Sequence, residues 1–194
     1  MEAGGGDAEL GGGLGDADGD LAAIGDQEFF QHVDALRGKT PPMSKRLLIV
    51  AHAPSENTLS LRGAVERGAL SETGIDVRVV APLQAGPDDV LAAQAVILGT
   101  TENLGYMSGA LKDFFDRSYN PLLEKTQGLP AALYIRAGSD GTGTRRGVET
   151  ILTGLRWRLV QEPLLCKGPW QPAFVEQCEE LGAAMAAGLA AGIF

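Results

Sequence analysis

The amino-acid sequence alternates short apolar runs with segments of helical periodicity, and this alternation constrains the fold more than any other feature. The five apolar runs after residue 43 read RLLIVAHA, DVRVVAP, AVILGTT, AALYIRAG and RLVQEPLLC. Continuous apolar runs are typical of strands that are covered on both faces. Strands that alternate with helices favour a parallel sheet with right-handed crossovers. The sequence therefore predicts an α/β domain, in which a five-stranded parallel sheet carries helices on both faces.

Each run is followed by a segment that predicts a helix, because its apolar residues recur three or four positions apart. The predicted helices span residues 58–72, 87–93, 108–123, 144–155 and 172–192. Pro87 stands where proline is tolerated at a helix start, and Ser108 is a candidate N-cap. Pro163 falls inside the fifth apolar run, which predicts a bulge in that strand because proline cannot donate to the ladder.

The N-terminal segment differs in charge from the rest of the chain. Residues 1–42 carry nine acidic and two basic residues, a net charge of −7, whereas residues 43–194 have a net charge of −2. The Gly-, Asp- and Ala-rich composition predicts an acidic tail that is largely disordered, with a short helix at 26–37. We expect the functional domain to span residues 43–194. Such a nearly neutral domain offers no basic surface for nucleic acid.

Signals for targeting and for metal binding are absent from the sequence. No apolar stretch approaches the roughly 18 residues that a membrane span needs, and no secretory signal peptide is expected. The two cysteines, Cys166 and Cys178, are too few for a disulfide framework or a metal site. We expect both to be buried thiols of a cytoplasmic protein, and we predict no metal site.

Three polar, turn-rich loops follow the first, third and fourth predicted strands. They read HAPSENT, GTTENLGYMSG and RAGSDGTGT. In parallel α/β sheets, ligands bind beyond the carboxyl ends of the strands, near the point where the strand order reverses. We therefore expect the three loops to meet at one edge of the sheet and to form the functional site.

The first loop ends at a helix start, where unpaired N–H groups and a partial positive charge favour an anion. Ser55, Asn57 and Thr58 add neutral donors, and the loop contains no lysine or arginine. Two interpretations stay open for this loop. It holds a phosphate, or Asn57 or Thr58 is an ordinary helix cap that binds nothing.

The second loop and the helix after it resemble a segment of the flavodoxin-like NAD(P)H-dependent FMN and quinone reductases. In that family a Gly- and Thr-rich turn ends a strand, an aromatic–Gly–x–x–Ser–Gly element follows, and a helix of the form LKxFxDR comes next. The matching residues are Gly105, Ser108, Gly109, Leu111, Lys112, Phe114, Asp116 and Arg117. The resemblance covers about residues 45–190 and implies a three-layer sandwich with strand order 2-1-3-4-5. The chain departs from the pattern at Leu104, which precedes Gly105 in place of an aromatic residue.

The resemblance implies an FMN site that is shared among the three loops. The first loop would bind the phosphate, the second would border the flavin ring, and the third would meet the pyrimidine end of the ring. The candidate cofactor-binding residues are His52, Ser55, Glu56, Asn57 and Thr58 in the first loop, Thr101, Glu102, Asn103, Leu104, Gly105 and Tyr106 in the second, and Gly138, Ser139, Asp140, Gly141 and Gly143 in the third. For Tyr106 the alternative is an ordinary surface tyrosine.

The implied activity passes electrons from NAD(P)H, the co-substrate, through FMN to a quinone or a similar small-molecule acceptor. This chemistry belongs to the cofactor, so no catalytic side chain is predicted. The resemblance also implies a homodimer or homotetramer. Two alternatives stay open: a non-enzymatic flavodoxin that transfers electrons, and a flavodoxin-fold binding module without flavin.

Other functional classes lack their characteristic residues. The sequence contains no Walker loop and no G-x-S-x-G, and the positions of receiver-domain acids read AHAP and GTTEN. The stretch GTGTRRG follows the fourth strand, where a dinucleotide fingerprint does not occur. Its Arg145 and Arg146 are either solvated helix charges or contacts for a pyridine-nucleotide phosphate.

Overall fold

The computed structural model describes residues 44–194, so the predicted tail of residues 1–42 with its helix at 26–37 lies outside the described residues. The strands are β1 (Lys45–Ala51), β2 (Ile75–Val80), β3 (Ala95–Asn103), β4 (Tyr106–Met107), β5 (Pro130–Ala137), β6 (Arg158–Leu159) and β7 (Leu164–Lys167). The helices are α1 (Glu56–Leu70), α2 (Pro87–Leu91), α3 (Gly109–Leu122), α4 (Thr142–Leu155) and α5 (Ala173–Ala191).

The parallel sheet has the order β2–β1–β3–β5. The outer edge of β5 pairs with β6 near its first residue and with β7 near its last. β4 stands apart from this path, because it pairs antiparallel with the end of β3. When β6 and β7 are counted as one interrupted strand, the order is the predicted 2-1-3-4-5. The predicted α/β architecture with a parallel sheet is confirmed.

Helices cover both faces of the sheet, and each face has its own core. Leu48 and Val50 of β1 lie in the core that contains side chains of α2, α3 and α4. Leu47 and Ile49, which alternate with them, lie in the core formed with α1 and α5. This alternation follows from the two-residue period of a strand. Cys166 and Cys178 are both buried thiols, as predicted, and belong to the second core.

The predicted fifth strand is broken into two short strands. Ala131 of β5 pairs with Leu159, but Tyr134 pairs with Leu164. Residues 160–163 therefore lie opposite only residues 132–133, and the surplus is accommodated as a bulge. Pro163 is the last residue of this bulge, where its missing N–H removes no ladder hydrogen bond. The sequence prediction placed the bulge correctly but treated the strand as continuous.

The second loop contains a β-hairpin that the sequence analysis treated as irregular. β3 continues to Asn103, and Tyr106 of β4 pairs with Asn103 across a two-residue turn. The turn residues Leu104 and Gly105 have φ values of 52° and 74°. Positive φ at both central positions gives the twist that a tight hairpin needs, and glycine supplies it easily whereas leucine does not.

Helices α1 and α5 approach each other so closely that glycine is required at their crossing. A Cβ atom at Gly68 of α1 would lie 1.9 Å from the Glu179 carbonyl oxygen, and one at Gly182 of α5 would lie 2.0 Å from the Val65 carbonyl oxygen. In both cases the atom that the added Cβ would meet belongs to the backbone, so it cannot move aside as the end of a flexible side chain can. The two helices therefore pack backbone against backbone on their face of the sheet.

We predict that Gly182→Ala lowers the free energy of unfolding by about 1–3 kcal/mol, because the added methyl group overpacks the α1–α5 crossing. Chemical denaturation of the purified protein measures this change. Gly63→Ala in α1 is the matched control, since its Cβ would meet only the flexible end of Arg67 at 3.6 Å. The control is expected to be stabilised by up to about 1 kcal/mol through its higher helix propensity. Equal effects of the two substitutions would contradict the close packing.

Candidate functional site

The three predicted loops follow β1, β3 and β5, which are neighbours in the parallel sheet. Their carboxyl ends therefore lie at the same edge, as the sequence analysis expected. Three hydrogen bonds show that the loops are joined there. The His52 N–H donates to the Gly99 carbonyl oxygen at 2.9 Å, and the Glu102 carboxylate accepts from the third loop. The structure thus brings together residues that are almost 90 positions apart.

The first loop enters α1 through a reciprocal capping box formed by Ser55 and Thr58. Ser55 Oγ accepts from the Thr58 N–H at 3.4 Å, and Thr58 Oγ1 accepts from the Ser55 N–H at 2.9 Å. The Thr58 hydroxyl in turn donates to the Ser55 carbonyl oxygen at 2.8 Å. The cap is therefore Ser55, not Asn57 or Thr58 as the capping interpretation proposed. The interaction satisfies part of the helix start and fixes its direction.

The capping box leaves specific donors at the start of α1. The N–H groups of Glu56 and Asn57 occupy the first two helical positions, where no intrahelical acceptor exists. The buried Thr58 hydroxyl is already committed to the Ser55 carbonyl oxygen, whereas the Ser55 hydroxyl is exposed to solvent with its residue. The free donors at this end are therefore backbone amides, while Ser55 Oγ lies 3.0 Å from Thr58 Oγ1 and can turn from it towards an anion.

His52 lies between the end of β1 and this helix start. Partial burial lowers the pKa of His52 below its ordinary value of 6.5. The imidazole is consequently neutral at neutral pH and adds no positive charge to the loop. An anion at this end of α1 would be held by neutral groups and by the helix dipole.

The second loop is a hairpin whose tip presents an apolar side chain to solvent. Leu104 is fully exposed and has a positive φ, a combination that costs energy without any packing in return. At the base of the hairpin, buried Thr100 Oγ1 accepts from the Ser108 N–H at 3.1 Å. Thr101 Oγ1 donates to Asn103 Oδ1 at 2.7 Å. Hydroxyl groups thus fix the base of the hairpin, while its tip is exposed to solvent.

Glu102 ties the hairpin to the third loop. Its Oε2 accepts from the Ser139 N–H at 2.8 Å, and its Oε1 accepts from the Gly141 N–H at 3.1 Å. Both carboxylate oxygens are therefore used by backbone donors of the neighbouring loop. This contact places a negative charge at the junction of the second and third loops.

The glycines of the third loop are required for different reasons. Gly141 has a φ of 73° and a Cβ there would press on Ala137, so both conformation and space favour glycine. A Cβ at Gly143 would lie 2.0 Å from the Gly105 carbonyl oxygen, so this glycine lets the hairpin touch α4. Gly138 has neither a positive φ nor a close neighbour. Within the protein, conformation or space thus requires glycine at 141 and 143 but not at 138.

Asp140 connects the third loop to the start of α4 through a local hydrogen bond. Its Oδ1 accepts from the Thr142 N–H at 2.9 Å. Hydrogen bonding from Thr142 lowers the pKa of this exposed carboxyl below its ordinary value. Asp140 is therefore ionised at neutral pH, and it supports the loop through this local bond.

Tyr106 packs on α4. A Cβ at Gly147 would lie 2.4 Å from Tyr106 Cε2, so the ring rests against the helix backbone. The ring nevertheless remains 40% exposed. It lines a groove together with Lys112 of α3 and Arg146 of α4. Sequence reasoning did not identify Lys112 or Gly147 as parts of a site, because the contacts depend on how α3 and α4 sit on the sheet.

The adjacent arginines of α4 have different surroundings, which the sequence could not distinguish. Arg145 donates to Glu149 at 2.7 Å and to Glu162 at 2.9 Å, and these contacts raise the pKa of its guanidinium. Arg146 is exposed and lines the groove beside Tyr106. Ion pairs thus occupy Arg145, and only Arg146 of the two faces the groove.

The described residues also bear on membrane and metal sites. Within residues 44–194, none of the helices has both the length and the apolar character needed to cross a membrane. The same residues contain no group of three or more His, Cys, Asp or Glu side chains placed to hold a metal ion.

Comparison with known proteins identifies the fold. No family model matches the chain. A flavodoxin from Aquifex aeolicus (strain VF5) is 30% identical over 110 residues, which are 57% of this chain and 60% of the relative. The match therefore spans less than two thirds of the curated relative.

Solved structures agree with this similarity. A flavodoxin from the domain Archaea superposes with a TM-score of 0.63 at 19% identity, covering 75% of this chain and 99% of that protein. A WrbA-like flavodoxin from Agrobacterium tumefaciens gives a TM-score of 0.59 at 18% identity, covering 74% and 96%. The fold of residues 44–194 is flavodoxin-like, as the sequence resemblance implied.

We predict that Glu102→Ala accelerates amide hydrogen exchange at Ser139 and Gly141 by about tenfold or more. The reason is that both N–H groups lose a charged acceptor, and a loss of about 1.4 kcal/mol corresponds to tenfold. Exchange measured by NMR checks this. Glu149→Ala, which removes an acceptor of Arg145 in α4, should leave both rates unchanged. Unchanged exchange in Glu102→Ala would show that the carboxylate does not hold the loop.

Proposed function

We propose that this chain binds FMN and passes electrons from NAD(P)H to a quinone or a similar small-molecule acceptor. The observation that carries the proposal is the meeting of three loops and one helix N-terminus at the carboxyl edge of the sheet, with Glu102 joining two of the loops. In a doubly wound sheet, this edge is where ligands bind. The similarity of the sequence to a flavodoxin supports a flavin as the ligand.

The start of α1 fits a phosphate. The Glu56 and Asn57 amides are available as donors, and the helix dipole favours negative charge there. The Ser55 hydroxyl would turn from Thr58 Oγ1 to add a third donor. The hydroxyl of Thr58 would act indirectly, because it holds the Ser55 main chain in the capping box. The phosphate of FMN would then be bound without a cation.

The second and third loops fit a flat, largely apolar ring. Leu104 projects from the hairpin tip without any protein contact that would bury it, so a ring lying against it would remove apolar surface from water. Gly105, Gly138 and Ser139 supply small side chains and accessible backbone on either side of the Glu102 bridge. These residues would orient the ring and exclude water from part of it.

FMN supplies the redox chemistry when it is bound, as the acceptor of a hydride and the donor of electrons. The protein would contribute binding, orientation and electrostatics. The negative charge of the Glu102 carboxylate would disfavour a further negative charge on a flavin bound beside it. His52, which is neutral, would not compensate for the charge of Glu102. No side-chain acid or base is needed, so the proposal assigns no catalytic residue.

A second candidate function is electron transfer without catalysis. Similarity to a protein named flavodoxin favours it, because the match lies in the sequence as well as in the fold. The two candidates share the flavin site and differ in whether the protein oxidises a nicotinamide. We place the enzyme first because an exposed groove with two cationic residues in its wall adjoins the hairpin, which provides room for a second ligand. A cytoplasmic location and a homodimer or homotetramer complete the proposal.

We predict that Ser55→Gly weakens binding of FMN by about tenfold or more and leaves riboflavin almost unaffected. A hydrogen bond to a charged group contributes roughly 1.5–3 kcal/mol, which FMN would lose in this variant. Riboflavin has no phosphate and therefore never forms this hydrogen bond. Glycine is chosen because it costs only a few tenths of a kcal/mol at an N-cap. Fluorescence titration of both flavins measures the affinities.

Ser60→Ala is the matched control for this substitution. Its hydroxyl donates to the Glu56 carbonyl oxygen within α1, so FMN affinity should not change. Parallel weakening of FMN and riboflavin in Ser55→Gly would indicate that the first loop is a structural cap that does not hold the phosphate.

The enzyme function itself predicts that the protein reconstituted with FMN oxidises NADPH or NADH when a soluble quinone is present. The decrease in nicotinamide absorbance measures the rate, and protein without FMN is the control. Binding of FMN without nicotinamide oxidation would favour the electron carrier. Failure to bind FMN would contradict both candidates and leave the flavin-free binding module.

A further inference from the structure

A groove lies beside the hairpin, between the start of α3 and the exposed side of α4. Its volume is about 320 Å³. Its lining includes Tyr106, Lys112, Gly143, Arg146, Gly147, Thr150 and Ile151. Ile151 is half-buried: it packs against the core beside Leu152, which is 2% exposed, and it also lines the groove. One apolar side chain of α4 therefore borders both the core and the groove.

The lining of the groove is mostly apolar, and two cationic residues contribute to its wall. Lys112 and Arg146 line it, and no carboxylate does. No acidic side chain in the described part of the chain forms an ion pair with Arg146. Lys112 pairs with Asp116 one helical turn away, but both side chains are largely exposed, and such pairs contribute little. Arg146 is therefore available to an anion, and Lys112 can turn to the same anion by leaving its weak pair with Asp116.

The groove also offers a surface for a planar group. The Tyr106 ring is held in place against the backbone at Gly147, where a Cβ would lie 2.4 Å away, and it is still 40% exposed. Glycines at 143 and 147 keep side chains out of the space next to the ring. A fixed, exposed aromatic ring is a platform on which a nucleobase stacks.

The dimensions limit what the groove can hold. A volume of about 320 Å³ lies at the lower end of the usual range for small-molecule sites, roughly 300–1,000 Å³. It suits one nucleoside and its phosphate, and it is too small for a whole dinucleotide. The ligand chemistry is thus an aromatic base linked to an anion.

We propose that this groove binds the adenosine 2′-phosphate end of NADPH, with the phosphate between Lys112 and Arg146 and the adenine on Tyr106. The inference rests on the proposed NAD(P)H-dependent function, since that function brings a nicotinamide dinucleotide to the neighbouring loops. Arginine suits the phosphate because its planar group donates two parallel hydrogen bonds. The 2′-phosphate is the group that NADH lacks, so the groove makes the protein selective for NADPH.

The test is a calorimetric titration of the full-length protein with adenosine 2′,5′-bisphosphate, a probe that needs neither flavin nor turnover. We expect binding at least about tenfold tighter than that of 5′-AMP, which lacks the 2′-phosphate. Arg146→Gln and Lys112→Gln should each weaken the bisphosphate by about tenfold while leaving 5′-AMP unchanged. Tyr106→Leu should weaken both ligands. Thermal melting checks that each variant is folded.

Arg158→Gln is the matched control, because Arg158 is an exposed cation on β6 at the opposite end of the sheet. It removes the same charge and should leave the affinity for the bisphosphate unchanged. Equal weakening of bisphosphate binding by Arg158→Gln and Arg146→Gln would show that the effect comes from the overall charge of the protein, and it would overturn the subsite. Equal affinities for the bisphosphate and 5′-AMP would overturn it as well.

Steady-state kinetics separate the subsite from the proposed function. If both are correct, Arg146→Gln raises KM for NADPH about tenfold, with kcat and the NADH reaction unchanged. An unchanged KM for NADPH in an active protein refutes the subsite and retains the enzyme. A protein that binds the bisphosphate through Arg146 but oxidises no nicotinamide refutes the enzyme and retains the subsite.

Discussion

The position of β3 between β1 and β5 is the constraint on which the rest of the structure depends. β3 is hydrogen-bonded along both edges, and its residues from Ala95 to Thr100 are buried. At its centre, Gly99 pairs with Tyr134 of β5 and accepts from the His52 N–H. A Cβ at Gly99 would lie 2.3 Å from the Tyr134 ring, so glycine is required there. Glycine at this position therefore leaves room for the Tyr134 ring where β3 is bonded to both neighbouring strands.

The fold could be predicted from the sequence because its main determinants are local. Continuous apolar runs, helical spacing and the proline positions each act over a few residues, and together they leave few topologies for a parallel sheet. The hairpin at Leu104 and the break between β6 and β7 were harder to predict from the sequence. A Leu–Gly turn predicts a hairpin much less strongly than the usual Asn–Gly turn does. Residues 160–163 exceed the facing part of β5 by two residues, and this surplus is visible only when the partner strand is known.

The location of the candidate site was predictable for the same reason, but its internal contacts were not. Parallel strands carry their following loops to one edge, which is enough to select the three segments. That Glu102 accepts two amides of the third loop depends on the register of β3 against β5 and on the length of the hairpin. The separate environments of Arg145 and Arg146 depend on how α4 is rotated on the sheet, which the sequence pattern alone does not determine.

The two anion sites proposed for the flavodoxin-like domain are of opposite construction. At the start of α1 the donors are neutral, directed by a capping box and close to the buried sheet edge. In the groove the donors are two flexible cations near solvent. Directed donors on a rigid helix lose little entropy on binding and favour slow release, as a resident cofactor requires. Exposed cations attract an anion from a distance and hold it less firmly, since water and salt screen them. The two constructions therefore correspond to the two roles in the proposed reaction, a phosphate that stays with the protein and one that leaves after each turnover.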